Sequence, residues 1–260
     1  MTPLQGLLLF AVALLAGALN SVAGGGSFIT FPTLIFTGVP VIQANATNTV
    51  ALWPGIVASI GAYRKELAGQ RATVLLLAPV SLAGGILGAL LLLHTPQSTF
   101  TLLIPFLLLL AVLLFAYGNR IAAALRRRMG AERASSRVVT VAVALLQFVI
   151  AIYGGFFGGG IGILMLASLA LMGKENLHQM NATKTVLAAC INGVAVITFI
   201  IAGAVFWSQA LVMALGAVAG GYGGASLART LPPAAVRRFV LGVGVVMTAY
   251  FFVRPFIVRQ

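Results

Sequence analysis

At 260 residues the chain is 61% hydrophobic and only 7% charged, against roughly 25% charged residues in a soluble domain. Its net charge of +13 would suit a nucleic-acid binder, but the Lys and Arg fall in short stretches between apolar runs, a pattern that sets membrane orientation. The three acidic residues are Glu66, Glu132 and Glu175, and Asp is absent, which removes carboxylate-pair catalysis and carboxylate-built cation cages.

This composition predicts an all-α polytopic membrane protein. The apolar runs approach the ~20 residues that cross a bilayer as a helix, and a backbone in lipid must satisfy its own hydrogen bonds. A transmembrane barrel would need alternating polarity, which the sequence lacks. The first half gives apolar segments at about 3–22, 27–38, 44–63, 71–93 and 98–118, and the second half at about 137–157, 160–172, 180–203, 207–228 and 234–254. The start, Met1–Gly17, lacks the basic region of a signal peptide and is read as mature protein. Between the halves lies a basic stretch, 119–136, with Arg126-Arg127-Arg128. The organisation expected is a first membrane repeat at 1–118, a basic cytoplasmic linker at 119–136 and a second repeat at 137–260.

The halves repeat. Asn45-Ala46-Thr47 matches Asn181-Ala182-Thr183 at an offset of 136, as do Ala83-Gly84-Gly85 with Ala219-Gly220-Gly221 and Pro96 with Pro232; the glycine runs Gly24–Gly26 and Gly158–Gly160 align at 134. Several matches at one offset argue for duplication where one tripeptide would not. The basic residues give the orientation. Arg64, Lys65 and Arg71 put one loop inside, while its counterpart near 203–209 is uncharged; the uncharged loop at 94–98 corresponds to one flanked by Arg229, Arg237 and Arg238. The bias reverses between halves, as in an inverted-topology repeat, an architecture of transporters. Arg254 and Arg259 fall outside and break the rule.

Each half contains a segment too short to span, preceded by glycines: Gly24-Gly25-Gly26-Ser27 and Gly158-Gly159-Gly160. Such a break is tolerated at membrane depth beside a cavity or inside protein. Glycine lets backbone approach a ligand, and the N-terminus of the following half-helix favours an anion. The alternative is close helix packing through small residues. After each half-helix comes a polar segment start, Asn45-Ala46-Thr47-Asn48-Thr49 and Asn181-Ala182-Thr183-Lys184-Thr185. Asn45 and Asn181 read as N-caps, which places Thr47, Asn48, Thr183 and Lys184 in the first turn as donors to a ligand. Lys184 is the one charge placed inside a span. It either serves a site or snorkels to the surface; Asn48 is its uncharged counterpart.

Ser27, Thr30, Gln147 and Tyr153 are further polar residues near the breaks, better explained by packing or interhelical hydrogen bonds. His94 and His178 fall in loops and make no metal site, and Cys190 is alone. No metal and no cofactor is expected. The substrate-binding set expected is Gly24, Gly25, Gly26, Ser27, Asn45, Thr47, Asn48, Gly158, Gly159, Gly160, Asn181, Thr183 and Lys184.

At these residues the chain resembles the TauE/SafE family of sulfite exporters: Gly24-Gly25-Gly26 followed by Pro32-Thr33-Leu34, then Gly38-Val39-Pro40 and Ala44-Asn45-Ala46-Thr47. A degenerate second copy lacks the Pro after Gly158–Gly160. The resemblance implies export of sulfite, sulfonates such as sulfoacetate, or related small anions across a bacterial inner membrane by a multi-pass protein. The partners expected are a small anionic substrate and the lipid bilayer, with no nucleic acid and a homodimer left open. The rivals are an anion channel with the same lining, an intramembrane serine protease built on Ser27, which the loop positions of both histidines disfavour, and a structural membrane protein.

Overall fold

The computed structural model describes residues 1–22, 25–133, 137–172, 176–228 and 233–257. Among them all regular structure is helical: α1 (Pro3–Val22), α2 (Ser27–Phe36), α3 (Val41–Ala62), α4 (Arg64–Leu67), α5 (Arg71–His94), α6 (Gln97–Arg133), α7 (Arg137–Phe156), α8 (Ile161–Leu171), α9 (Leu177–Ile201), α10 (Trp207–Ala228) and α11 (Pro233–Ile257). Each expected apolar segment is a helix. The central basic stretch differs from a simple linker, because α6 continues through it to Arg133.

Five of these helices are long and apolar enough to cross a membrane: Pro3–Asn20, Arg71–His94, Gln97–Tyr117, Arg137–Phe156 and His178–Ile201. The 22-residue α3 falls short of the same standard, since Gln43, Asn45, Thr47, Asn48 and Thr49 dilute its first turns. The faces are inside-out relative to a soluble protein. On α7, Leu145 is 63% and Val149 61% exposed, while Gln147 is fully buried. That arrangement is costly in water and natural where lipid covers the apolar face. The protein is an all-α polytopic membrane protein.

The helices pack into two compact units: unit 1 comprises Met1–Gly55, Leu93–Val112 and Phe199–Gln260, and unit 2 comprises Ile56–Leu92 and Leu113–Thr198. Each draws on both halves of the sequence. In unit 1, α10 of the second half lies against α1 of the first. The backbones meet so closely that a Cβ on Gly17 would overlap the Ala217 carbonyl, and one on Gly220 the Leu14 carbonyl. In unit 2, α5 of the first half lies against α7 of the second, where a Cβ on Gly84 would sit 2.8 Å from the Phe148 carbonyl and 2.6 Å from the Ala151 methyl. These are equivalent contacts: Gly84 and Gly220 are 136 residues apart, Leu14 and Phe148 134. Small residues at such positions permit the close approach that drives helix association in lipid.

The half-helices form the centre of each unit. In unit 2, Ile161, Met165 and Leu169 of α8 lie at four-residue spacing, one face of a helix, in a core with Val143 and Ile150 of α7 and Leu187 and Ile191 of α9. In unit 1, Phe28 at the start of α2 packs on Gly244 of α11, and Phe36 at its end meets Tyr250 edge-on at 5.2 Å. Pro32 lies within α2. The absence of an equivalent Pro does not prevent α8 from forming, at 11 residues against 10.

Candidate functional site

Each break is held by a different side chain. At the first, Asn20 near the end of α1 accepts a hydrogen bond from the Gly26 amide through Oδ1 at 2.8 Å. Gly25 has φ +88°, the left-handed region where a side chain is strained. Gly26 then caps α2, its carbonyl accepting from the Ile29 and Thr30 amides, each at 3.1 Å, and from the Thr30 hydroxyl at 3.1 Å. Ser27 is half-buried and begins α2. Gly24 lies outside the described residues.

At the second break, Gly158 and Gly160 have φ +82° and +79°. The Tyr153 phenol donates to the Gly159 carbonyl at 2.7 Å, tying the turn to α7. Gly160 is the N-cap of α8 and its carbonyl takes the Ile163 amide at 3.1 Å. The amides of Ile161 and Gly162 are then first-turn donors with no carbonyl of their own helix to meet.

Lys184 reaches this turn. Its Cδ would lie 3.3 Å from a Cβ on Gly162, so the aliphatic stem crosses the first turn of α8. Its Nζ donates to Asn181 Oδ1 at 3.0 Å. The ammonium therefore ends on an amide inside unit 2, one turn back along its own helix. Asn181 and Lys184 meet beside Gly162, two residues after the Gly160 cap and outside the expected substrate-binding set. The signal was available: Gly162 follows the glycine run by two residues and is the small residue that a long side chain can cross.

The polar segment starts differ from their sequence reading in one respect. Neither Asn45 nor Asn181 is an N-cap. α3 begins at Val41, directly after Pro40, and α9 at Leu177, where Asn176 Oδ1 accepts from the His178 amide at 3.0 Å and the Gln179 amide at 3.2 Å. Pro40 and Asn176 supply the start signals, which moves both Asn-Ala-Thr sequences into the helix body. Thr183 and Thr185 donate their hydroxyl protons to the Gln179 and Asn181 carbonyls at 3.0 and 2.8 Å. Their protons serve the helix, which leaves the hydroxyl oxygens as acceptors only. Gln179 Oε1 also accepts from Gln70 Nε2 at 2.9 Å, fixing the entry to α5 against the first turn of α9.

In unit 1, Asn45, Thr47 and Asn48 are 2%, 0% and 4% exposed. Thr47 Oγ1 accepts the Phe206 amide at 3.0 Å, and Thr49 donates to the Asn45 carbonyl at 2.9 Å. Asn48 Oδ1 is buried without a hydrogen-bond partner among the described residues. Chemically, unit 2 offers a positive charge, an amide and helix-start N–H groups, and unit 1 offers neutral amides and hydroxyls.

Comparison with known proteins gives the family. The family described as sulfite exporter TauE/SafE matches over residues 9–251. A "Probable membrane transporter protein" of Haemophilus influenzae is 31% identical over 245 residues, 93% of this chain and 92% of the relative. The "Probable membrane transporter protein ORF9" of a Sinorhizobium species is 31% identical over 209 residues, 80% of this chain and 77% of the relative. The "Probable membrane transporter protein YfcA" of Escherichia coli is 29% identical over 243 residues, 93% and 87% respectively. No solved structure matches the chain.

Proposed function

The chain belongs to the sulfite exporter TauE/SafE family, and from that premise we propose that it is a membrane transporter that exports small sulfur-containing anions, such as sulfite or sulfonates including sulfoacetate, across a bacterial inner membrane. The observation that carries the reading is the Lys184 side chain, laid across the first turn of α8 with its ammonium on Asn181. A cation near the first turn of a half-helix opposes that helix's dipole unless an anion lies beside it. Free N–H groups, an amide and one ammonium suit a compact oxyanion. An intramembrane charge is functional by default.

Movement is by alternating access, one bundle rocking or gating against another. Two observations support an inverted repeat beneath it: the reversed charge bias of equivalent loops, and the equivalent glycine contacts of α1 with α10 and α5 with α7. The membrane potential drives anion exit by about 2.3 kcal/mol per charge per 100 mV. An anion channel is the second reading. Saturable flux without single-channel currents decides for the transporter.

The test is uptake of labelled sulfite into proteoliposomes, with sulfoacetate, sulfate and chloride as competitors. Wild type gives saturable uptake, Lys184→Ala loses at least about tenfold of it, equivalent to ~1.4 kcal/mol of binding, and Thr183→Val changes it little, since that hydroxyl proton already serves its own helix. Uptake unaffected in folded Lys184→Ala removes the anion from this turn. No uptake of any oxyanion removes the sulfur-anion reading.

A further inference from the structure

We infer that the Asn45–Asn48 turn of α3 in unit 1 binds a small monovalent cation, Na+ first among them. Asn45 and Asn48 lie three residues apart, on one face of the helix, as Asn181 and Lys184 do on α9. The two pairs occupy equivalent positions, 136 residues apart. On α9 the equivalent pair is a fixed cation resting on an amide oxygen: Lys184 Nζ to Asn181 Oδ1, 3.0 Å. On α3 the lysine is replaced by Asn48, and an amide oxygen is left buried with no donor among the described residues.

The neighbours do not supply that donor. Ala44, Ala46, Ala51 and Leu52 are buried and apolar, and the Thr49 hydroxyl proton is committed to the Asn45 carbonyl. An amide oxygen removed from water is costly until it meets a hydrogen-bond donor or a cation. At this register the other unit uses a cation. The charge of the ion follows from the acid count. The stretches of sequence that make up unit 1 contain no Asp or Glu, so its described residues offer no side-chain carboxylate to hold a divalent ion. Neutral amide and hydroxyl oxygens in an interrupted-helix transporter suit a monovalent one. Unit 1 then binds from solution the charge that unit 2 carries on Lys184, and the bound ion couples transport to a cation gradient.

The experiment is thermal melting of purified protein in NaCl, KCl and choline chloride at equal chloride, so that any anion site sees constant conditions. Wild type is stabilised by Na+ in a saturable way. Asn48→Ala loses the shift, and Asn48→Asp saturates at lower Na+ because a carboxylate replaces the amide. Asn48→Lys melts alike in all three salts, and its oxyanion uptake no longer responds to Na+. Identical wild-type melts in the three salts overturn the proposal, as does a Na+ shift that survives in Asn48→Ala. A shift that tracks protonation of an added oxyanion and ignores Na+ assigns the Asn48 oxygen to the substrate's own proton and overturns it too. Should Asn48→Lys fail to fold, Ala and Asp still decide. The melting arm is independent of Lys184, so a positive result with unimpaired Lys184→Ala uptake keeps the cation site and removes the anion site.

Discussion

At the first break the chain holds its turn with Asn20, an acceptor for the Gly26 amide; at the second it holds it with Tyr153, a donor to the Gly159 carbonyl. The half-helix that follows is 10 residues in one case and 11 in the other. The helix beyond carries Asn48 in one and Lys184 in the other, at the same register. Backbone architecture is thus duplicated while side-chain chemistry has diverged. Duplication fixes where the polar groups stand, and divergence decides what charge each unit presents. Asn48 and Lys184 differ in charge at one register, whereas Gly84 and Gly220, which meet the facing carbonyls of Phe148 and Leu14, are glycine in both copies.

The largest effect separates those two kinds of position. Gly220→Val in unit 1 and Gly84→Val in unit 2 each drive a side chain into the backbone of the facing helix, at Leu14 and Phe148. Overpacking of a core costs about 1–3 kcal/mol where side chains can shift, and a carbonyl of a packed helix cannot. Both variants should lose folded protein, Gly220→Val the more because its Cβ meets the facing carbonyl more closely, seen as loss of the monodisperse peak on size-exclusion chromatography. Gly61→Val is the control, since nothing lies within 4 Å of a Cβ there. A folded Gly84→Val beside an unfolded Gly220→Val would break the equivalence of the two contacts.

A smaller effect distinguishes the two caps. Gly160 has φ +79°, and Gly26, at the same place in the other copy, has φ −55°. Gly160→Ala should cost about 1–2 kcal/mol from the left-handed backbone alone. Gly26→Ala carries no such strain, but its Cβ would lie 2.8 Å from the Ala16 carbonyl. Trimming Asn20 should leave Gly160→Ala unchanged and partly relieve Gly26→Ala, whose Cβ also lies 2.8 Å from Asn20 Nδ2. A thermal-melt comparison of the four proteins reads this out.

How much of this was written in the chain depends on the kind of interaction. The helices were legible because each is a continuous apolar run, and both half-helices because a run of 10 or 11 residues cannot span. Lys184 was legible as a charge in the wrong place. The helix starts were misjudged by about one turn, since Asn45 and Asn181 are strong caps in isolation but Pro40 and Asn176 act first. The exchange of α5 and α10 between the halves was not legible at all. A repeat gives the order of elements along the chain, and nothing in the order says that α1 will choose α10. Gly17, Gly216 and Gly220 carry that choice, and they read as ordinary glycines until the facing carbonyls are seen.

The turn-holding side chains give effects of comparable size. Tyr153→Phe removes one donor to the Gly159 carbonyl and should cost about 0.5–1.5 kcal/mol. Asn20→Ala leaves the Gly26 N–H without its acceptor, a heavier loss of about 1–3 kcal/mol. The order Asn20 above Tyr153 in melting temperature loss is the measurable statement. The reverse order would mean that the second turn depends on its phenol more than the first does on its amide.

The smallest expected effect lies between α5 and α7. Gln147 Nε2 donates to Ser81 Oγ at 2.9 Å, both residues fully buried, and Gln147 Oε1 has no partner among the described residues. The equivalent positions in unit 1 are Ala13 and Ala217, also buried. At these two positions the other copy therefore packs without a side-chain hydrogen bond. Replacing both members of a buried polar pair with apolar groups is close to neutral, whereas removing one leaves the other unsatisfied. Ser81→Ala alone should destabilise, and Gln147→Leu with Ser81→Ala should return to within about 0.5 kcal/mol of wild type, a positive coupling in a double-mutant cycle. Transport then gives the second reading. If the double variant melts like wild type and also transports like it, the pair is a helix clasp that unit 1 shows to be dispensable. If it melts like wild type and transport falls, the unpaired Gln147 oxygen serves the transport cycle, and the divergence between the units extends beyond the breaks into the helices that frame them.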